Sequence, residues 1–139
     1  MSNIKIEDIM SDHPIKVKED ATVGQVAHLL LRYRINGVLV VNKSNDQDLR
    51  GIFTTTDLLR LINQAFSKME NQIQELQKIS SLPVGKFCSK NIVSISKDAP
   101  VMEAMELMLT KNIHTVPVYD KDKLVGVIGK HDLLNIVLN

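Results

Sequence analysis

A single cysteine, Cys88, in 139 residues excludes an internal disulfide, and no CxxC pair or Cys/His cluster with zinc-ligand spacing accompanies it. A lone thiol without a motif reads as a small buried hydrophobe. His13, His28 and His131 share no HxxxH spacing, so no metal site is expected. There is no excess of one charge: 17 Lys and Arg stand against 16 Asp and Glu, a net +1 spread almost evenly over both halves. No field builds up to steer nucleic acid or a membrane surface. The longest apolar run, Val38 to Val41, is far short of the ~20 residues of a membrane span. The polar start, Met1 to Asp8, has no signal-peptide core, so a cytoplasmic location is the expectation. Nor is there a GxSxG elbow, Walker loop, Rossmann fingerprint or HExxH helix, and an enzyme is not expected.

What the sequence does contain is a repeat. Laying Met10–Asn42 over Cys88–Asp120, an offset of 78, pairs Ser11 with Ser89, Asp20 with Asp98, Ala21 with Ala99, Val23 with Val101, Ile35 with Ile113 and Val38 with Val116. Beyond a polar loop, Asn42 to Asp48 against Asp120 to Lys123, the offset becomes 75, and Gly51, Asp57, Leu58 and Leu59 fall on Gly126, Asp132, Leu133 and Leu134. A length change confined to a charged segment reads as a tolerated surface loop.

Both copies predict the same elements. Ile15 and Val17, or Val93 and Ile95, alternate as a strand with one buried face. Apolar residues then recur at helical spacing: Val23, Val26, Ala27, Leu30 and Leu31 in one copy; Val101, Ala104, Met105, Met108 and Leu109 in the other. Pro100 suits the first turn of the second of these helices, and Met102, Met105 and Met108 read as core filler. Arg32, Arg34 and Lys111 complement the dipole at the helix C-termini. Two apolar runs joined by a polar turn follow in each copy, Val38–Val41 with Leu49–Phe53 and Val116–Val118 with Leu124–Ile128, as paired strands. A last helix opens at Asp57 or Asp132. Leu58 to Ser80 holds no Gly or Pro and keeps an apolar pattern through Leu61, Ala65, Phe66, Met69, Ile73 and Leu76. That stretch predicts one long helix, whose charged part, Lys68 to Lys78, is an exposed connector or a face for another subunit.

The repeat resembles a stand-alone CBS domain pair, or Bateman module, over nearly the entire chain. The resemblance rests on IEDIM, on KEDATVGQVAHLLLRYRINGVLVV and KDAPVMEAMELMLTKNIHTVPVYD, and on GIFTTTDLL and GVIGKHDLL. It implies an α/β (α+β) fold of two β-α-β-β-α repeats, residues 1–62 and 83–139, with a helical connector at 63–82. In that family the sheets face one another about a pseudo-twofold axis and leave two clefts. It also implies a regulatory, energy-sensing module whose ligand is an adenine nucleotide such as AMP, ADP or ATP, with no required cofactor. A homodimer and a separate effector protein are the partners it implies.

The resemblance assigns Ile52, Thr54, Thr56 and Asp57 to the favoured cleft, opposite Cys88, Asn91, Val93, Ile113, His114 and Thr115. It assigns Val127, His131 and Asp132 to the second, opposite Met10, His13, Ile15, Ile35, Asn36 and Gly37. The Asp would hold the ribose hydroxyls, which suits an acceptor-only carboxylate, and the Thr three residues before it would help at ribose or phosphate. A helix N-terminus beside them favours phosphate. Gly129 stands where Thr54 has its hydroxyl, so the second cleft is expected to bind less well. By themselves Asp57 and Asp132 read first as helix N-caps, a role compatible with ribose binding; Thr54 to Thr56 read also as a polar strand exit, and the pair of repeats as a dimerisation scaffold with vestigial clefts.

Overall fold

Thr22 accepts a hydrogen bond from the Gln25 amide at 3.1 Å and its own amide donates to the Gln25 side chain at 3.0 Å, a reciprocal cap that starts a helix. The computed structural model, which describes residues 4–67 and 70–138, accordingly has α2 at Val23–Tyr33. Its counterpart in the second copy, α5 at Val101–Lys111, has Pro100 as its N-cap, one residue before the expected first turn. Both helices end on a left-handed residue, Arg34 and Asn112, each with φ of 52°. The next amides, Ile35 and Ile113, bond back to the carbonyls of Leu30 and Met108.

The elements run α1 (Ile6–Ile9), β1 (Lys16–Lys18), α2, β2 (Gly37–Asn42), β3 (Asn45–Thr54), α3 (Thr55–Phe66) and α4 (Gln72–Ser80), then β4 (Ile95–Ser96), α5, β5 (Thr115–Asp120), β6 (Lys123–Gly129) and α6 (Lys130–Leu134). Single 3-10 turns lie at Val84–Lys86 and Asn135–Leu138. Two three-stranded sheets result, β1-β2-β3 and β4-β5-β6, each with one parallel and one antiparallel pair. This is the expected mixed α+β class.

The hairpin Asn42 to Asp48 is not a loop. The turn is confined to Lys43 and Ser44, tied by the Asn42 side chain accepting from the Ser44 amide at 2.8 Å, and β3 starts at Asn45. Register shifts after Val40 and Val41 absorb the additional residues as bulges. The single long helix expected from Leu58 to Ser80 is also interrupted. Helix α3 closes at Phe66, whose carbonyl accepts from the Gln72 side chain at 3.2 Å, and Asn71 turns left-handed, φ 61°, to begin α4. Asn takes that conformation readily, so no Gly or Pro was needed to break the helix. Lys68 and Met69, part of the expected continuous helix, lie outside the described residues.

The chain folds as two units, and they are not the two repeats. Ile15–Ile92 form the first unit; Met1–Pro14, as far as described, and Val93–Asn139 form the second. The segment leading into each repeat packs in the unit of the other. Ile6 is fully buried with Ile95, Val101, Ala104, Met108, Val116, Val118 and Ile128, while Val84 and Cys88 are buried with Val17, Val23, Val26, Val38, Val40 and Phe53. The backbone repeats this device with equivalent residues. Ile6 donates to the Ala99 carbonyl at 2.9 Å and Val84 to Ala21 at 2.7 Å; Ser11 pairs with Val127 on β6 and Ser89 with Ile52 on β3.

Three residues read as core from the pattern lie at the surface. Leu31 and Leu109, expected on the buried faces of α2 and α5, are 70% and 84% exposed, and Met102 is exposed rather than core filler.

Candidate functional site

In each unit the last strand passes directly into a short-capped helix, and that switch carries the candidate residues. In the first unit Thr54 ends β3 in extended conformation and is the N-cap of α3. Its amide donates to Oδ2 of Asp57 at 2.9 Å, and its hydroxyl donates to the same oxygen at 3.0 Å while accepting from the Asp57 amide at 3.1 Å. Asp57 is therefore the third helical residue and the reciprocal partner of the cap, not the cap itself. A hydroxyl has one proton to give, and that of Thr54 goes to Asp57. The remaining carboxylate oxygen, Oδ1, has Nη1 of Arg60 at 3.3 Å. Thr56, one residue earlier than Asp57, is exposed.

The sheet brings other candidates alongside. Gly37 is the register partner of Thr54, and the Asn36 carbonyl accepts from the Thr55 amide at 2.8 Å. Ile35, Asn36 and Gly37, which the resemblance grouped with Asp132, thus lie beside the Thr54–Asp57 switch within one unit. Ile52 is half-buried on β3 next to Ser89, and Cys88, buried in the first core, lies against Gly51. Burial pushes the Cys88 thiol above its ordinary value, with Lys90 opposing. Asn91 is exposed, and Ile15 packs against the first core.

The second unit repeats the arrangement with less chemistry. Oδ2 of Asp132 accepts from the Gly129 amide at 2.7 Å, but Gly129 has no hydroxyl to complete the pair. Thr115 is the register partner of Gly129, and the His114 carbonyl accepts from the Lys130 amide at 3.0 Å. His114 and Thr115, grouped by resemblance with Asp57, therefore lie beside Gly129 to Asp132. Val127 is half-buried and bonded to Ser11; Met10 and Ile113 pack on the second core; His131 is exposed. His13 is exposed and bonded through Nδ1 to Asp12 at 2.7 Å. Val93 lies in this unit, half-buried before β4.

Two features escaped the sequence. Arg60 is one turn from Asp57, and i,i+3 spacing from an acid to an arginine was the available signal. A groove of about 340 Å³ in the second unit, walled by Met105, Leu109, Leu133 and Leu134, has His114 and Lys130 at its edge. Among the described residues no cluster of three or more His, Cys, Asp or Glu could hold a metal, and no helix is long and apolar enough to cross a membrane.

The family model of the CBS domain matches residues 6–64 and 84–139. A CBS domain-containing protein of Dictyostelium discoideum is 31% identical over 136 residues, covering 97% of this chain and 92% of its own. Several other curated relatives are much longer, and the chain spans 25% of one and 20% of another. Among solved structures, the CBS domain pair of protein MJ0100, in complex with 5′-methylthioadenosine and S-adenosyl-L-methionine, is similar with a TM-score of 0.78 at 22% identity, covering 98% of this chain and 97% of that one. CBSX2 in complex with AMP has a TM-score of 0.75 at 20% identity, with 96% of each chain covered. At these identities the structural likeness concerns the fold.

Proposed function

The chain belongs to the CBS-domain family, and from that membership we propose that it is a regulatory module whose ligand is an adenine nucleotide. The observation that carries this reading is the state of Asp57. Its Oδ2 is pinned by two bonds from Thr54, so the carboxylate is oriented before any ligand arrives. An ionised carboxylate is acceptor-only and matches the vicinal hydroxyl pair of a ribose. Pre-orientation lowers the cost of binding. The complexes of MJ0100 with methylthioadenosine and S-adenosylmethionine, and of CBSX2 with AMP, support an adenosine-containing ligand.

In this reading Thr54 positions Asp57 rather than touching the ligand, because its proton is already given to the carboxylate. The backbone of Asn36 and Gly37, at the edge of the same switch, offers the closest candidates for the base, with Ile35 and Ile52 as apolar neighbours. Asp132 is the weaker counterpart, held by one amide and lacking the hydroxyl. Binding regulates only if affinity differs between two states of the module or its partner. This reading asks for no catalysis: a carboxylate oriented by Thr54 suffices to hold a ribose.

Thermal denaturation with AMP, ADP, ATP or S-adenosylmethionine tests this reading. A ligand at 100 times its dissociation constant adds about 2.7 kcal/mol of stability, and failure of all four to move the melting temperature would overturn it.

A scaffold role has one specific observation in its favour. Leu31 and Leu59 in the first unit, and the equivalent Leu109 and Leu134 in the second, are exposed on helix faces. Large apolar side chains left in water at repeat-equivalent positions suit an association surface. We read each pair as a contact surface of a homodimer, a role compatible with ligand binding, and sedimentation of Leu31→Glu/Leu109→Glu should show a smaller species than the parent.

A further inference from the structure

The two oxygens of Asp57 are not equally open. Oδ2 accepts from the Thr54 amide at 2.9 Å and from the Thr54 hydroxyl at 3.0 Å. Oδ1 is what remains for a ligand, and Nη1 of Arg60 lies 3.3 Å from it. The Asp57 side chain is only 15% exposed and that of Arg60 74%, so a largely buried carboxylate is paired with an exposed guanidinium. The second copy differs: the position equivalent to Arg60 is Asn135, which brings no cation to Asp132.

We propose, resting on the nucleotide-binding reading, that Arg60 is a latch on the first unit's carboxylate: the guanidinium competes with a ribose for Oδ1. Arg60 is then a residue that acts through Asp57, and it sets the affinity of that site without contacting the ligand. The latch makes the first site sensitive to ionic strength, because an exposed ion pair is weakened by salt. An uncharged nucleoside isolates this effect, since salt then acts through the Arg60–Asp57 pair and not through a phosphate. The second copy has no latch and no such sensitivity.

The test is calorimetric titration of adenosine into the Asp132→Ala protein with and without Arg60→Met, at about 0.05 M and about 0.5 M salt. Methionine keeps the helix propensity of the position. The latch predicts that Arg60→Met binds adenosine about two- to fivefold more tightly at low salt, that the gap closes at high salt, and that Arg60→Lys, which keeps the cation, recovers most of the parent behaviour. Equal or weaker binding by Arg60→Met at low salt overturns the latch while leaving the ribose reading standing. A gain that salt does not change overturns it also, since that marks an effect of packing. Loss of all adenosine binding in both arms rejects Asp57 as a ribose site, and the latch with it.

Discussion

Gly51 faces Cys88 so closely that a β-carbon on the glycine would lie 2.7 Å from the cysteine sulfur and 2.5 Å from the Ser89 carbonyl oxygen. The contact is where the segment leading to the second repeat crosses β3, bonded through Ile52 and Ser89 at 3.0 and 2.8 Å. Gly51→Ala should push that segment off the strand and cost about 1–3 kcal/mol, read as a lower urea midpoint. Gly126→Ala faces the Ser11 carbonyl oxygen and the Met10 thioether in the same way. Its loss should be similar, because the Ser11 carbonyl oxygen stands at the same 2.5 Å as that of Ser89.

The exchange of leading segments makes a prediction that the repeat boundaries do not. Ile6 is fully buried in the second unit and Val84 in the first. Ile6→Ala should cost about 2–4 kcal/mol and Val84→Ala somewhat less. Hydrogen exchange should locate the damage: Ile6→Ala should deprotect the amides of β5 and β6, and Val84→Ala those of β2 and β3. The reverse pattern would show that each leader packs with the repeat it precedes.

That exchange also marks the limit of what the sequence discloses. The offset of 78 maps Ile6 onto Val84 and Ala99 onto Ala21, so the bond from Ile6 to Ala99 has an equally plausible sequence partner in Ala21. Self-similarity shows which residue types meet and is blind to which copy supplies them. The β-α-β-β-α order, the buried faces of Val38 to Val41 and the carboxylates after the last strands were legible, because alternation, helical spacing and repetition all report burial locally. Leu31 and Leu109 were misplaced because they sit at the margin of an apolar stripe whose width spacing alone does not define. Thr54 and Asp57 were legible as a pair three residues apart, but not that the hydroxyl's proton is spent on Asp57.

Burial raises the Cys88 thiol above its ordinary value of 9.0. The fold therefore favours the neutral thiol. Below that value both states keep the proton and nothing is gained or lost; as pH rises past it the unfolded chain releases a proton that the fold retains, so stability falls. The stability difference between the parent and Cys88→Ala should be constant from neutral pH to about pH 8 and shrink above pH 9. At pH 8, alkylation by iodoacetamide should be slow in buffer and rapid in urea. Fast labelling of the folded protein would contradict the buried placement of Cys88.

Calorimetric titration of AMP into the parent, Asp57→Ala and Asp132→Ala proteins bears most directly on the proposed binding function. Because Asp57 is pinned by Thr54 and Asp132 by a single amide, the parent should bind, Asp57→Ala should lose tenfold or more in affinity, about 1.4 kcal/mol or greater, and Asp132→Ala should lose less. Binding of AMP by the Asp57→Ala protein with undiminished affinity would contradict the ribose role of Asp57.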